Sequence, residues 1–389
     1  MINHNCSNHE IALKLINDYL LRTGVTGSEG NPKHRYLWTD AFAVQACFAL
    51  SYEPEGKKYR SYALNLIDLV HHALGQYRHD DPRPGWISGM SPDEGKNHPT
   101  AGGLRIGKKL TEKKNGEPFN QSMEWERDGQ YFHYLTRWFN SLLQAYKETG
   151  EKKYARWAAE LIKTSERFIS RSQGLPGISW KMNTDLSRPV VESMGAHDPL
   201  EGLVCVINAI EAAPESVIYL DSLKQDFQDL CQDMSWFTTD ALGIGSLLMN
   251  TAIASELSLN RKPLPPNIRP AYLFAESLAG IDAYSILEFN RLKPADIRLP
   301  FRECGLSLGF RVLYGIRDRH QSLDVDFNEL GKFLYLVEDI ENFWCNPDNQ
   351  KSQTWLAHRD INEVTLGSSI LARFYPEAFC FPGNFGSTR

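Results

Sequence analysis

Apolar residues recur along almost the whole chain with the spacing of amphipathic helices. Segments with apolar side chains at positions i, i+3, i+4 and i+7 follow one another, whereas the period-2 alternation typical of strands is nearly absent. The pattern predicts an almost all-helical protein of about twelve helices. We expect them at residues 9–22, 37–51, 57–75, 128–148, 151–171, 199–212, 216–235, 239–257, 270–289, 303–317, 326–343 and 360–374.

Two kinds of helix alternate along this series. The helices in odd positions are amphipathic, and within residues 151–171 the side chains of Tyr154, Trp157 and Leu161 share one face. The helices in even positions are apolar or small nearly all round, as residues 41–50 and 241–249 show. Since a helix without a polar face is buried on all sides, the even helices are predicted to form an inner layer and the odd helices an outer one.

Six consecutive outer–inner hairpins close most simply into an (α/α)6 double-layered helical barrel. Glycines in the inner helices, such as Gly245 and Gly305, would permit neighbouring helices to approach closely. At about 65 residues per hairpin, one domain over residues 1–389 replaces the two or three domains that length alone suggests. An open superhelical solenoid is the alternative fold, but the chain lacks a repeat of about 34 or 40 residues that would favour it.

Two connections between the predicted helices are irregular. Residues 76–123 form a segment of about 48 residues rich in glycine, proline and charge, and loops of this length are usually lids or binding loops. We therefore expect the segment to cover a site like a lid. Residues 261–266 contain three prolines and are interpreted as a stiff connector.

Charge and cysteine content exclude several classes of function. Lysine plus arginine number 42 against 48 aspartates and glutamates, a net charge of −6 without a basic block, which argues against nucleic acid. The cysteines are seven, an odd number without a CxxC pair, and the histidines show no ligand spacing, so we expect no disulfide framework, metal or other cofactor. The polar start and the absence of a long apolar run predict a cytoplasmic protein without a membrane span. The oligomeric state stays open.

Carboxylates recur at the starts of the predicted inner helices, and tryptophans precede most of them. Inner helices of alternating hairpins run parallel, so their starts are predicted to meet at one mouth of the barrel. The acids and their upstream tryptophans are Asp40 with Trp38, Asp128 with Trp125, Asp240 with Trp236 and Asp360 with Trp355, while Asp198 and Glu303 start the other two inner helices.

Each of these residues also has a structural interpretation. Aspartate is a favoured N-cap, and Asp198 with Glu201 three residues later fits a capping box. A tryptophan near a helix end is often a core residue. Capping does not require tryptophan, however, and carboxylates beside indoles are what a sugar site needs, because pyranose faces stack on indoles while acids bind hydroxyls and carry protons. The joint pattern therefore favours a carbohydrate site.

Arginines and histidines accompany the acids. Arg127, Arg302 and Arg359 each directly precede an acid, where they would form salt bridges between hairpins or bind a substrate carboxylate or phosphate in bidentate fashion.

Residues 102–109 have the spacing of a phosphate-binding loop but end in lysine and follow no strand, so nucleotide binding is not expected. Arg105 and Lys108 in this stretch are predicted to meet an anionic substrate. His133, His197 and His358 are candidate acid/base groups, with a satisfied helix-end histidine as the alternative.

The barrel geometry gives a rough distance between opposite acids. Inner helices about 10 Å apart place opposite axes about 20 Å apart, which leaves roughly 8 Å between acids that reach inward. This gap falls within the separation of about 6.5–9.5 Å in inverting glycosidases. The opposed pairs would be Asp40 with Asp240, Asp128 with Glu303, and Asp198 with Asp360, although adjacent acids could also meet.

The six hairpins, with acids and tryptophans at the inner-helix starts, resemble the six-hairpin glycosidase-like superfamily, which includes unsaturated glucuronyl hydrolases and N-acylglucosamine 2-epimerase-like proteins. The resemblance is architectural, covers roughly residues 9–375 and rests on no diagnostic motif. It implies a carbohydrate substrate, usually no metal, and carboxylates or histidines as acid/base groups at the mouth. It leaves hydrolase, lyase and epimerase open.

The leading hypothesis is a glycoside hydrolase for a small oligosaccharide, with an acidic one among the alternatives. Asp128 and Glu303 are the first candidates for acid and base. Asp40, Asp198 and Asp360 are alternative catalytic or binding groups, and Trp38, Trp125, Trp236 and Trp355 are the predicted platforms.

Three other functions remain open. One is a sugar epimerase in which His197 and His358 shuttle protons. Another is a terpene cyclase, although the chain has no DxDD and its Asp324-Val325-Asp326 stretch precedes an outer helix. The third is a non-enzymatic helical-repeat binding protein.

Overall fold

The structure is a computed structural model that describes residues 7–27, 34–113, 116–118, 120–170, 177–259, 264–286, 292–319 and 325–380. Several predictions lie partly outside these residues, among them the end of the helix at 270–289, residues 114–115 and 119 of the segment 76–123, connector residues 261–263, the thiol of Cys6, and Asp324 of the terpene alternative. The described part forms two compact units, which we call the middle unit (residues 23–44 and 62–232) and the C-terminal unit (residues 1–22, 45–61 and 233–384). The prediction of a single domain over residues 1–389 stays a prediction.

Helices dominate the described residues, as the apolar periodicity predicts. In chain order they are α1 (Asn8–Arg22), α2 (Leu37–Ser51), α3 (Lys57–Leu74), α4 (Pro92–Asn97), α5 (Gln121–Glu126), α6 (Phe132–Thr149), α7 (Lys152–Thr164), α8 (Asp198–Ala212), α9 (Val217–Leu230), α10 (Ala241–Leu259), α11 (Pro270–Ile286), α12 (Pro300–Gly315), α13 (Phe327–Gly331), α14 (Leu334–Cys345), α15 (Gln353–Ala357) and α16 (Arg359–Ala372). The line between the two units falls within α2 and within α3.

The two kinds of helix have the burial that their sequences predict. In α7, Tyr154, Trp157 and Leu161 are buried, whereas Lys152 and Arg156 on other faces are exposed. In α8, every residue from Asp198 to Ala209 is buried. The amphipathic and the all-apolar patterns therefore report correctly which helices have a solvent face.

Five short strands belong to the middle unit and were not predicted. They are β1 (Gln130–Tyr131), β2 (Ile169–Ser170), β3 (Gly177–Ile178), β4 (Lys181–Met182) and β5 (Pro189–Val191). β4 pairs antiparallel with β1 and β5, and β2 pairs antiparallel with β3. Strands of two or three residues are too short to show a period-2 pattern, which explains why periodicity misses them.

Four predicted helices have wrong bounds, and the one expected at 216–235 ends at Leu230. The helix expected at 128–148 begins at Phe132, because Gly129 has φ +149° and residues 130–131 pair with β4 instead. The helix expected at 151–171 ends at Thr164, followed by a 3-10 turn and β2. The helix expected at 326–343 is divided into α13 and α14. In addition, the lid-like segment 76–123 contains α4 and the first residues of α5.

Small residues bring α10 and α12 together in the C-terminal unit. A Cβ added to Gly245 would lie 2.2 Å from the carbonyl oxygen of Gly305, and one added to Gly309 would lie 2.1 Å from the carbonyl oxygen of Gly245. Real Cβ atoms do not approach backbone oxygens so closely, so only glycine fits at this contact. This confirms the close approach predicted from the glycines of the inner helices.

α10 is also long and apolar enough to cross a membrane by length and composition. Of its most apolar stretch, however, 72% is buried inside the protein. The core helix of a folded domain has the same properties, so α10 is weak evidence for a membrane span.

Candidate active site

Asp128 lies in the turn between α5 and β1 and is buried there by a dense set of hydrogen bonds. Its Oδ2 accepts a hydrogen bond from Arg105 Nη1 at 2.5 Å. Its Oδ1 accepts from the backbone N–H groups of Gly107 and Lys108 at 3.0 and 3.2 Å. The side chain has no exposed surface. Both oxygens of Asp128 therefore hold the loop around residue 107 in place. Arg105, predicted to meet an anionic substrate, is instead the ion-pair partner of Asp128.

Asp40 also binds neighbouring groups within the middle unit. It is fully buried in the first turn of α2. One oxygen accepts a hydrogen bond from the backbone N–H of Tyr36 at 3.1 Å, and the other lies 3.4 Å from Arg35 Nη1. These contacts hold the chain that enters α2.

In the C-terminal unit, Glu303 is buried in a bidentate pair with Arg298. The nitrogen–oxygen distances are 2.6 to 3.1 Å. The indole N–H of Trp344 donates to the same carboxylate at 2.8 Å, and Trp355 stacks on Trp344 with 5.7 Å between ring centroids. Glu303 therefore anchors a packed aromatic pair.

The other two acids of this unit lie at exposed helix starts. Asp240 accepts the N–H of Gly243 at 2.9 Å and pairs with Arg302, so it acts as the N-cap of α10. Asp360 accepts two hydrogen bonds from Arg22, at 2.9 and 2.6 Å. Arg359 pairs with the buried Glu363 at 2.6 Å rather than with Asp360.

Asp198 differs from these five acids because, among the described residues, it has no arginine partner. It is buried as the first residue of α8, and its Oδ2 accepts one hydrogen bond, from the N–H of Gly195 at 2.8 Å. It does not form the predicted capping box, since the N–H of Glu201 donates to the carbonyl of His197 at 2.9 Å. Burial, reinforced by the nearby charge of Glu201, raises the pKa of Asp198 to about 7.

Glu201, one turn along α8, is the carboxylate next to Asp198. It is buried, and its two oxygens accept hydrogen bonds from Arg137 at 2.8 Å and from the hydroxyl of Thr136 at 2.6 Å. The guanidinium of Arg137 also lies over the indole of Trp38, 5.6 Å from its centroid. The starts of α2, α6 and α8 are thus joined by contacts from Trp38 through Arg137 to Glu201.

His133, near the start of α6, is surrounded by aromatic rings. The ring centroids of Trp38, Tyr131, Tyr134 and Trp180 lie between 4.8 and 5.6 Å from its own. Its ring nitrogens form no hydrogen bond with the described residues, although the side chain is partly exposed. Desolvation lowers the pKa of His133 to about 4, so the imidazole is neutral at neutral pH.

Two tyrosine hydroxyls meet beside this histidine. The hydroxyl oxygens of Tyr36 and Tyr134 are 2.7 Å apart. Burial raises the pKa of both phenols, so they stay protonated and share a hydrogen bond. The site therefore has neutral donors as well as carboxylates.

The four tryptophans predicted as sugar platforms differ in solvent exposure. All nine tryptophans lie within the described residues, and seven are buried, including Trp38, Trp236 and Trp355. Only Trp125 and Trp180 are partly exposed. The indole N–H of Trp236 donates to the carbonyl of Asn267 at 2.7 Å, as expected of a core residue. The geometry therefore gives Trp236 and Trp355 no free face for a sugar.

The remaining predicted residues are dispersed. Arg127 pairs with Glu117 at 2.8 Å. His197 is buried directly before Asp198, whereas His358 is exposed before α16 with its ring 6.0 Å from that of Phe301. No group of three or more His, Cys, Asp and Glu side chains with the arrangement of a metal site occurs in the part of the chain that the structure describes.

Sequence reasoning missed several residues of this site. Arg137 and Glu201 form a buried pair, and Tyr36 and Trp180 border the aromatic cluster. A signal exists in the run from Tyr131 to Tyr134, whose three polar aromatic residues are unusual at the start of an inner helix. The opposed pairs predicted across the barrel each have one member in each unit, so that expectation stays a prediction.

Comparison with known proteins yields structural relatives only. The sequence matches no protein-family model and no curated protein. The GH76A α-1,6-mannanase from Salegentibacter sp. HEL1_6, as an inactive variant in complex with α-1,6-mannotriose, is 10% identical with a TM-score of 0.51, covering 95% of this chain and 100% of that chain. The cellobiose 2-epimerase from Spirochaeta thermophila is 12% identical with a TM-score of 0.50, covering 95% and 99%. The Lin0763 protein from Listeria innocua is 10% identical with a TM-score of 0.51, covering 96% and 98%.

At such low sequence identities, the structural similarity establishes the fold alone. The coverage shows that this similarity extends over nearly the whole of each chain. The alternation of buried and amphipathic helices agrees with it. The chain therefore has the fold of these solved structures, which confirms the predicted fold class, an all-α (α/α)6 arrangement of helical hairpins.

Proposed function

We propose that the protein is a carbohydrate-active enzyme, a glycoside hydrolase that uses Asp198 as its general acid. The observation that carries this proposal is the environment of Asp198. It is the one predicted acid without an arginine partner among the described residues, and its pKa of about 7 lets it hold a proton at neutral pH. A general acid must be protonated at the working pH to protonate a glycosidic oxygen.

In this proposal Glu201 is the general base that complements the general acid Asp198. Its pair with Arg137 and its hydrogen bond from Thr136 stabilise a carboxylate, whereas Asp198 has only a backbone N–H for a partner. Two neighbouring carboxyl groups in such different environments are a frequent arrangement for acid/base catalysis. The expected pair of Asp128 and Glu303 has a different role here: Asp128, bonded by Arg105 and backbone N–H groups, holds a loop, and Glu303, bonded by Arg298 and the indole of Trp344, anchors an aromatic pair.

The solved relatives support a carbohydrate substrate. One is an α-1,6-mannanase with a bound mannotriose and another is a cellobiose 2-epimerase. The partly exposed indoles of Trp125 and Trp180 provide apolar faces suited to pyranose rings. We accordingly take α-1,6-mannotriose and cellobiose as the first substrates to test.

A sugar epimerase is the second candidate, and His133 is the observation that favours it. A neutral imidazole with no hydrogen bond to the described residues can accept a proton from a carbon next to a carbonyl. Aromatic rings, including those of Trp38 and Trp180, pack around it. In this alternative Asp198 would return the proton.

The test compares the wild type with Asp198→Asn on both sugars, using chromatography for products and NMR in D2O for exchange at carbon. Hydrolysis releases monosaccharides without deuterium on carbon, whereas epimerisation yields a deuterated C2 epimer in which the glycosidic bond is intact. We expect Asp198→Asn to lose about 10²- to 10⁴-fold in kcat. Asp221→Asn, an exposed aspartate on α9, is the control and should retain full activity. Equal activity of Asp198→Asn and wild type would refute the proposal.

A further inference from the structure

Trp125 and Trp180 form a right-angled corner in the middle unit. Trp125 lies on α5 and Trp180 in the turn between β3 and β4, and their rings are 6.0 Å apart at 86°. They are the only two of the nine tryptophans that are not buried. Their partial exposure makes part of both indoles accessible to a ligand, unlike the seven buried tryptophans.

His133 adds a polar group to the corner. Its ring lies 5.4 Å from that of Trp180 at 89°, and it is partly exposed. Among the described residues, neither ring nitrogen of the partly exposed His133 has a protein hydrogen-bond partner, so both can bond to a ligand. The corner thus combines two apolar faces with an unused donor and an unused acceptor, which is the chemistry of a sugar ring with its hydroxyls.

The backbone that carries both indoles is fixed. The ammonium of Lys181 donates to the carbonyls of Glu124 and Arg127 at the end of α5, and that of Lys108 donates to the carbonyl of Trp125. Trp180 is bonded through its carbonyl to Phe132 N–H at 3.1 Å and through its N–H to the carbonyl of Ser193 at 3.0 Å. A site held in this way loses little conformational entropy on binding.

The cationic groups at the corner already form hydrogen bonds or ion pairs within the protein. Lys108 and Lys181 donate to backbone carbonyls, and Arg127 pairs with Glu117 and lies 3.7 Å from Glu124. A carboxylate on the ligand would have to compete for these cations, so the corner suits an uncharged sugar better than an acidic one.

We propose that Trp125, Trp180 and His133 form a subsite that binds one pyranose ring of a neutral oligosaccharide. This proposal rests on the proposed carbohydrate function and specifies its substrate class. Contacts connect the subsite to Glu201. His133 contacts the indole of Trp38, the guanidinium of Arg137 lies over this indole, and Arg137 pairs with Glu201. A ring held at the corner would therefore extend the substrate beyond the acid pair.

Binding can be measured without turnover by isothermal titration of the Asp198→Asn protein with α-1,6-mannotriose, cellobiose and an aldobiouronic acid. Adding Trp180→Ala or Trp125→Ala should raise the Kd of at least one neutral sugar by about tenfold or more, in line with the loss of one stacking face. Trp180→Phe should lose less, since it keeps an aromatic face. Tyr335→Ala on α14, which removes a ring that is 46% exposed, is the control and should leave the Kd unchanged.

The outcomes separate this proposal from the proposed function. If the tryptophan variants keep their thermal stability and bind as tightly as the parent, the subsite is wrong, while a dependence of turnover on Asp198 would still support the enzyme. If neither neutral sugar binds, or the acidic disaccharide binds more tightly than both, the neutral subsite is wrong. If binding depends on the corner but no sugar is turned over, the subsite stands and the proposed function fails.

Discussion

Replacement of Asp198 by asparagine should change how stability depends on pH. Burial raises the pKa of this carboxyl group from 3.8 to about 7, so the folded protein keeps a proton that the unfolded chain has lost. A carboxyl group with a raised pKa favours folding most below the unfolded pKa. Its contribution is lost as the pH rises through 4 towards 7. Asparagine does not titrate, so the variant lacks this contribution to the slope.

The size of the effect follows from the shift. About three pKa units at about 1.4 kcal/mol each amount to about 4 kcal/mol over the full range, of which roughly 3 kcal/mol fall between pH 5 and pH 8.5. Relative to the wild type, Asp198→Asn should therefore gain about 3 kcal/mol in free energy of unfolding when the pH is raised between these values.

The assay is urea denaturation of both proteins at pH 5 and pH 8.5, followed by tryptophan fluorescence. Groups that titrate equally in both proteins cancel in the difference between them. Asp221→Asn, exposed on α9, should show no pH-dependent difference from the wild type. A constant difference between wild type and Asp198→Asn at the two pH values would refute the burial of an uncompensated carboxyl group at this position.

Three further predictions concern activity and packing. If Asp198 is the general acid, kcat/KM of the wild type should fall about tenfold per pH unit above about 7, and a flat profile up to pH 9 would contradict this role. Asp128→Asn should lower the free energy of unfolding by about 3–5 kcal/mol in denaturation experiments because it leaves Arg105 buried without its counter-charge, and a loss under 1 kcal/mol would show that the pair is dispensable. Gly309→Ala should destabilise by about 1–3 kcal/mol, since its Cβ would lie 2.1 Å from a carbonyl of α10; Gly177→Ala, where a Cβ meets open space, should have little effect on the Tm, and equal effects would refute the packing argument.

The fold decides the salt-bridge partners of the three arginines that precede an acid, and Arg302 forms a bridge of the predicted kind, between hairpins. Arg127, Arg302 and Arg359 each precede an acid, but none pairs with that acid in the structure. Arg302 pairs with Asp240, which is distant in sequence, and Arg359 pairs with Glu363 one turn further along α16. Consecutive residues on a helix point in different directions, so adjacency in sequence does not make a salt bridge.

Periodicity in the sequence determined most of the fold. A helix exposes one face or none according to its apolar pattern, so the pattern predicts both the elements and their layer. The start of α2 at Leu37 and the exposed face of α7 agree with it. What periodicity could not supply were breaks caused by single residues, such as the φ of +149° at Gly129, and strands of two or three residues.

The chemistry of the acids, in contrast, was decided by the tertiary structure. Asp128, Glu303 and Asp198 all carry the same group near a predicted helix start, and nothing in their local sequence ranks them. The structure gives Asp128 and Glu303 each an arginine partner and at least one further N–H donor, and it leaves Asp198 buried with a single N–H donor. The pKa of a carboxyl group depends on solvation and on charges within a few ångströms, which residues distant in sequence supply, so only the folded chain singles out Asp198.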